Sequence, residues 1–218
     1  MSSSMKKQSI DYSLIAAAHH EAAHTIIALL NLIQVSDVSV RIDEADATGL
    51  TQFYMYKNSH TDDKELSNIL IFADLQVAYS GLTGERIYYK DICGSSKFPL
   101  HLRIGSSEDF ASAQKLIRTN NLAAPGPETS ALKKKLQSEV ESMLIAYWDD
   151  VKLVAHALYQ RRKLYYVDLK NLLTRKNDRK DFWKMQFKLI NFIHHDSKIP
   201  EEQEVKEALH KNATTIIR

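Results

Sequence analysis

The chain is poor in the residues that punctuate a fold: six glycines and four prolines among 218 residues. That scarcity argues against a many-turned β architecture and favours long helices. Cys93 is the single cysteine. It excludes an internal disulfide, fits a reducing compartment, and reads as a small apolar residue near a loop. No run of about 18 apolar residues is present to span a bilayer. Met1 to Gln8 is polar, carries Lys6 and Lys7 and lacks the apolar centre of a signal peptide, so residues 1–9 read as a disordered lead. Charge is nearly balanced, 29 Lys and Arg against 27 Asp and Glu, and the net +2 points to no class of partner. There is no internal repeat, no low-complexity tract and no G-x-x-x-x-G-K-[ST] phosphate loop. These absences lead to the expectation of a cytoplasmic globular chain without a membrane segment or an ATP-driven motor, long enough to bury a sizeable core.

What is present is concentrated near the start. The apolar stretch from Leu14 to Leu30 carries His19, His20, Glu21 and His24, of which His20, Glu21 and His24 spell H-E-x-x-H. On a helix, positions i and i+4 lie one above the other, so the two imidazoles can converge on one point. A catalytic zinc takes three protein ligands and a water, and Glu21, beside the first ligand, is placed to take a proton from that water. H-E-x-x-H also occurs by accident on solvated helices. Here the surrounding residues are apolar, where unpaired polar groups would be costly. His19 lies about 100° around the helix from His20 and is read as a non-ligand.

The fold expected is mainly α, of the α+β class, with one small antiparallel sheet or hairpin. The first helix runs from about Ser13 to Leu32 and is central, being apolar on most faces. Val38, Val40 and Ile42 alternate with polar residues, as do Tyr54 and Tyr56; with turn-like residues 43–49 between them they predict a hairpin. Asp62 and Glu65 cap a helix expected to end near Ser80-Gly81, followed by a short helical piece carrying Glu85. Residues 92–105 read as a loop, after which Ser106 or Ser107 caps a helix bearing Asp109. Ala124-Pro125-Gly126-Pro127 breaks the chain. Beyond it, apolar residues from Leu132 to Leu158 predict one long helix, or two bent near Trp148. Further helices are expected over 166–175, 179–195 and 201–211.

Two histidines leave a third protein ligand open among His, Asp, Glu and Cys. No third histidine follows His24 at short spacing, so the compact metzincin arrangement is absent and a distant carboxylate is required. Several landmarks together resemble the FtsH-type zinc metallopeptidase family. His20-Glu21-Ala22-Ala23-His24 is similar to its HEAGH motif, and Ala47-Thr48-Gly49-Leu50-Thr51 to the A-x-G-x-T strand beside its active site. Ser80-Gly81-Leu82-Thr83-Gly84-Glu85 resembles its GGRAAE segment, and Ile104-Gly105-Ser106-Ser107-Glu108-Asp109-Phe110 its TGASNDL stretch, whose aspartate is the third ligand. The resemblance spans about residues 10–175, taken as a peptidase-like domain, with 176–218 as a C-terminal helical extension packed on it. Ala23 replaces the family's glycine, Leu82 and Thr83 replace its Gly-Arg-rich start, and the loop at 92–103 is longer.

The resemblance implies zinc held by His20, His24 and Asp109, Glu21 as general base, and Glu85 as acceptor for the free N–H of a ligand histidine. On spacing alone Asp109 is a first-turn helix acid, and Glu85 is as readily an exposed helix carboxylate as a partner of a ligand histidine. Gly49, Leu50 and Thr51 belong to a strand that could bind an extended peptide at a sheet edge. The expected activity is a zinc-dependent endopeptidase acting on unfolded or flexible polypeptides without its own ATPase, served by a separate ATPase or adaptor. The rival is a non-catalytic interaction module that keeps the fold and metal; Glu21 argues against it, because a structural zinc has no use for a base. His60 and His194-His195-Asp196 read as surface residues. Residues 160–189 hold ten Lys and Arg against three Asp, with interleaved aromatics. That segment is read as a solvated face with aromatics turned inward rather than as a nucleic-acid site. Phe182, Met185, Leu189, Phe192 and Ile193 are expected as a buried stripe packing the tail on the 128–165 helices, with self-association weak or limited to a dimer.

Overall fold

The computed structural model describes residues 3–43, 46–54, 63–91, 94, 107–175, 178–195 and 201–216. The organising element is α1 (Ser3–Leu30), in which every residue from Ala18 to Leu30 is buried. A helix apolar on all sides must be covered on all sides. α2 (Lys64–Asp91), α4 (Pro127–Ala146), α5 (Trp148–Arg161) and the sheet supply that cover. Residues 3–9, expected as a disordered lead, continue α1.

The sheet is antiparallel, ordered β2-β1-β3, from β1 (Gln34–Asp43), β2 (Asp46–Tyr54) and β3 (Lys163–Tyr165). Val35, Val38 and Val40 are buried, and their change of phase is explained by a bulge between Val35 and Asp37. Ile42, expected on the inner face, is exposed near the hairpin end. The third strand escaped the sequence reading because three residues are too few to show alternation. Arg162 enters it in the left-handed conformation (φ 67°), closing α5 with an N–H donated to the Leu158 carbonyl at 2.8 Å.

α2 corrects another expectation: it runs unbroken through Ser80, Gly81 and Glu85 to Asp91. Its glycines sit where neighbours press close, and the packing outweighs their helix-weakening tendency. Asp63 caps it, accepting the backbone N–H of Glu65 at 2.9 Å and of Leu66 at 3.1 Å; Asp62 lies outside the described residues. α3 (Ser107–Thr119) follows, anchored on α2 by Phe110 against Tyr79, with ring centroids 5.8 Å apart. Cys93, Ser106 and most of the 92–105 segment lie outside the described residues.

Pro127 occupies the first turn of α4, where a missing N–H costs nothing, and Tyr147 separates α4 from α5. The tail forms α7 (Lys180–His195), packed chiefly on α6 (Tyr166–Arg175), and α8 (Glu202–Ile216). The buried stripe of α7 is Trp183, Gln186, Phe187, Ile190 and Ile193, rotated from the expected one; Met185 is exposed. The reason is Trp183, whose Nε1–H donates to the buried Asp150 carboxylate at 3.1 Å and draws that face inward. α8 packs on α2 and the end of α1 rather than on the 128–165 helices: Asn212 donates to the Leu30 carbonyl, and Lys206 pairs with Asp63 at 3.0 Å. Among the described residues no helix is long and apolar enough to cross a membrane.

Candidate metal centre

α1 and α2 lie antiparallel. Asn31 donates to Gln76, His24 to the Val77 carbonyl and His20 to Glu85, in descending order along α1. Small residues allow the close approach. A Cβ on Gly81 would lie 2.5 Å from His24 Nε2 and nearer still to His20, and one on Gly84 would lie 2.5 Å from the Ala23 Cβ.

The two rings are oriented through their Nδ1 atoms. His24 Nδ1 donates to the Val77 carbonyl at 2.8 Å, with the Ser80 hydroxyl 3.1 Å away; His20 Nδ1 donates to Glu85 Oε1 at 2.6 Å. A neutral imidazole has one N–H, so both Nε2 atoms are left as bare acceptors. They lie 3.0 Å apart. Asp109 Oδ2, in the first turn of α3, is 3.1 Å from His20 Nε2 and 3.3 Å from His24 Nε2. Three acceptors converging at this range repel one another unless a proton or a metal ion lies among them. Their spacing is near the edge of a tetrahedron built on metal–ligand bonds of 2.0–2.1 Å, about 3.3 Å. His20, His24 and Asp109 thus form a group able to hold a metal ion.

The surrounding field agrees. Burial opposes charge on His20, yet its bonds to Asp109 and Glu85 hold its pKa well above the ordinary imidazole range. The cluster therefore draws in positive charge: a proton on His20 Nε2 shared with Asp109, or a metal ion in that proton's place. Burial would raise Asp109, but the two imidazoles hold it well below the usual carboxylate range. Burial pushes the Glu85 carboxyl up against the pull of His20, and its Oε2 has no hydrogen-bond partner among the described residues.

Glu21 is buried one residue beyond His20. The Thr51 hydroxyl donates to its Oε2 at 2.5 Å, and a Cβ on Gly49 would lie 2.5 Å from its Oε1. β2 thereby lies directly over the glutamate. A cleft of about 300 Å³ opens here, lined by His20, Glu21, His24 and Asp109 on one side and by Gly49, Leu50 and Thr51 on the other. β2 is an edge strand of the sheet, with Leu50 exposed.

The other residues singled out in the sequence lie apart. His19 is buried, stacked on Tyr88 with centroids 4.3 Å apart, and donates from Nδ1 to the Ile15 carbonyl at 2.8 Å. Burial lowers its pKa. His194 is half-buried and donates from Nε2 to the Leu32 carbonyl at 3.1 Å; His60, Asp196 and the His195 side chain lie outside the described residues. Of the aromatics in 160–189, Trp183 and Phe187 are buried, Tyr166 and Phe182 half-buried, and Tyr165 exposed.

Sequence reasoning missed three contributors. Ser80 and the Val77 carbonyl fix His24, and Asp74 lines the cleft's far wall. The spacing of Asp74, Ala78, Gly81 and Glu85 along one helical face was the available signal, obscured by ending the helix at Gly81. No model of a known protein family matches the chain, and no curated protein matches it.

Proposed function

We propose that the protein is a zinc-dependent endopeptidase resembling the FtsH-type family, acting on unfolded or flexible polypeptides. The observation that carries the reading is the joint placement, in one cleft, of three converging ligand atoms, a buried glutamate beside them and an edge strand. Zinc suits a site of two imidazoles and one carboxylate with a position left open. When bound, it supplies Lewis acidity that activates a water and polarises a carbonyl. His20, His24 and Asp109 would hold it, and Glu85 and Val77 would keep the two rings in the tautomer that presents Nε2.

Glu21 takes a proton from the attacking water and returns it to the departing amine. The Thr51 hydroxyl bond holds one oxygen of that carboxylate in place. The edge of β2 pairs with the backbone of an extended substrate, giving affinity without strict sequence choice. Folded proteins cannot add a strand in this way, so a separate ATPase or adaptor would have to deliver them.

The test is metal analysis together with cleavage of casein. We expect one zinc per chain, lost in His24→Ala and Asp109→Ala. Glu21→Gln should keep zinc and lose roughly 10²–10⁴-fold in rate. Equal rates for the wild type and Glu21→Gln would refute the catalytic reading and favour a binding module.

A further inference from the structure

The cleft does not end at the metal ligands. Ile33 and Asp74 also line a second, adjoining cavity of about 100 Å³, walled by Leu70 and Ile71 of α2, Tyr54 at the end of β2 and Leu209 of α8. For scale, an engineered apolar cavity of about 150 Å³ accepts benzene. The cavity is therefore the size of one side chain, and its wall is apolar except for Asp74 and a few polar groups.

Asp74 has no hydrogen bond or ion pair among the described residues, and desolvation alone pushes its carboxyl up to about 6. The other ionisable groups lining the cavity among the described residues are Tyr54, which is exposed, and His194, whose Nε2 is engaged with the Leu32 carbonyl. A half-buried carboxylate without a partner is costly, and an apolar occupant that shut out the remaining water would deepen that cost. A cation on a long aliphatic stem satisfies both parts of the wall: methylenes against Ile33, Leu70 and Ile71, charge against Asp74.

We propose that this end of the cleft is a subsite for a lysine or arginine side chain of the bound polypeptide, held by Asp74; the inference rests on the peptidase reading. Its position follows from the helix. Asp74 and Gly81 share one face of α2, seven residues apart, about 10 Å along the axis. An extended chain rises about 3.3 Å per residue, so the basic residue sits roughly three positions from the cleaved bond, on the side toward Tyr54.

Fluorescence anisotropy on the zinc-loaded full chain carrying Glu21→Gln, which spares the probes from hydrolysis, tests this, and the wild type is used for cleavage. The probes are labelled unstructured decapeptides carrying lysine or its uncharged isostere norleucine at each position in turn. At one position lysine should bind roughly tenfold tighter, the scale of one charge-assisted hydrogen bond. Asp74→Asn should abolish that difference while leaving norleucine peptides unchanged, and Asp74→Glu should restore it. Lysine and norleucine binding alike everywhere, a preference that survives Asp74→Asn, or no binding at all would overturn the subsite. Cleavage of the same peptides is scored separately. Preference without hydrolysis sinks the peptidase reading and leaves the subsite standing; hydrolysis without preference sinks the subsite alone.

Discussion

Two regions of this molecule bury carboxylates, and they treat them differently. At the joint between α4 and α5, Asp150 is almost wholly buried; it accepts from Trp183 Nε1 at 3.1 Å and from Arg179 at 3.4 Å. Arg179 in turn lies 4.5 Å over the Tyr147 ring. Donors are matched to acceptors, and the group is complete in itself. At the crossing of α1, α2 and α3 the count is reversed: with both rings neutral, two ring nitrogens and a carboxylate oxygen face one point, and only added positive charge, a proton or a metal ion, relieves them. A matched cluster supports the fold. A cluster of surplus acceptors asks for a cation, and that imbalance is what separates a site from a strut.

The sharpest way to break the comparison is Gly81→Ala. The added methyl intrudes on both Nε2 atoms. We expect zinc to fall from one per chain to near none, with overpacking costing about 1–3 kcal/mol. Metal analysis and thermal unfolding read the two effects; full zinc retention would mean that the helix crossing is looser than described. Trp183→Phe attacks the matched cluster instead. Leaving the Asp150 oxygen without its Trp183 donor should cost about 1–3 kcal/mol in chemical denaturation and leave zinc content unchanged.

The smallest effect has the opposite sign. Asp74, unpaired among the described residues, has a folded pKa raised to about 6, above its unfolded value. Its charged form therefore destabilises the fold: the penalty is absent below about pH 4 and complete above about pH 6. Asp74→Asn should raise the melting temperature by a few degrees at pH 8, roughly 1 kcal/mol after allowance for partial solvent screening, and by nothing at pH 4. A residue whose removal stabilises the protein is one kept for something other than the fold. Equal melting curves at pH 8 would place Asp74 with the indifferent surface acids.

Much of this was legible in the chain. The apolar surroundings of His20 and His24 foretold a central helix, and Pro127 and the spacing from Leu132 to Leu158 foretold the helices after the break. The mainly α fold with a small antiparallel sheet is what the structure shows. The unread parts share a cause: they depend on partners distant in sequence. Gly81 looked like a helix end because glycine usually weakens helices; only the opposing imidazoles reveal why it is tolerated within one. The buried face of α7 is set by Asp150, 33 residues upstream, which no periodicity in α7 can report. Likewise the reading of Asp109 as a candidate ligand came from resemblance, since 85 residues separate it from His24 and spacing carries no information at that range.

The way α1 ends has a consequence for when it can be complete. The Leu30 carbonyl accepts from Asn212, 182 residues later, and the Leu32 carbonyl accepts from His194, 162 residues later. Ribosomes add about 5–20 residues per second, so the helix bearing His20 and His24 waits roughly 10–40 s for those partners to be made. Through that interval its apolar faces lack their final cover, and contacts of such long range close slowly in any case. His20 and His24 therefore sit in a helix whose end is tied down by residues far later in the chain, so the candidate metal site is held rigid only once those residues have docked.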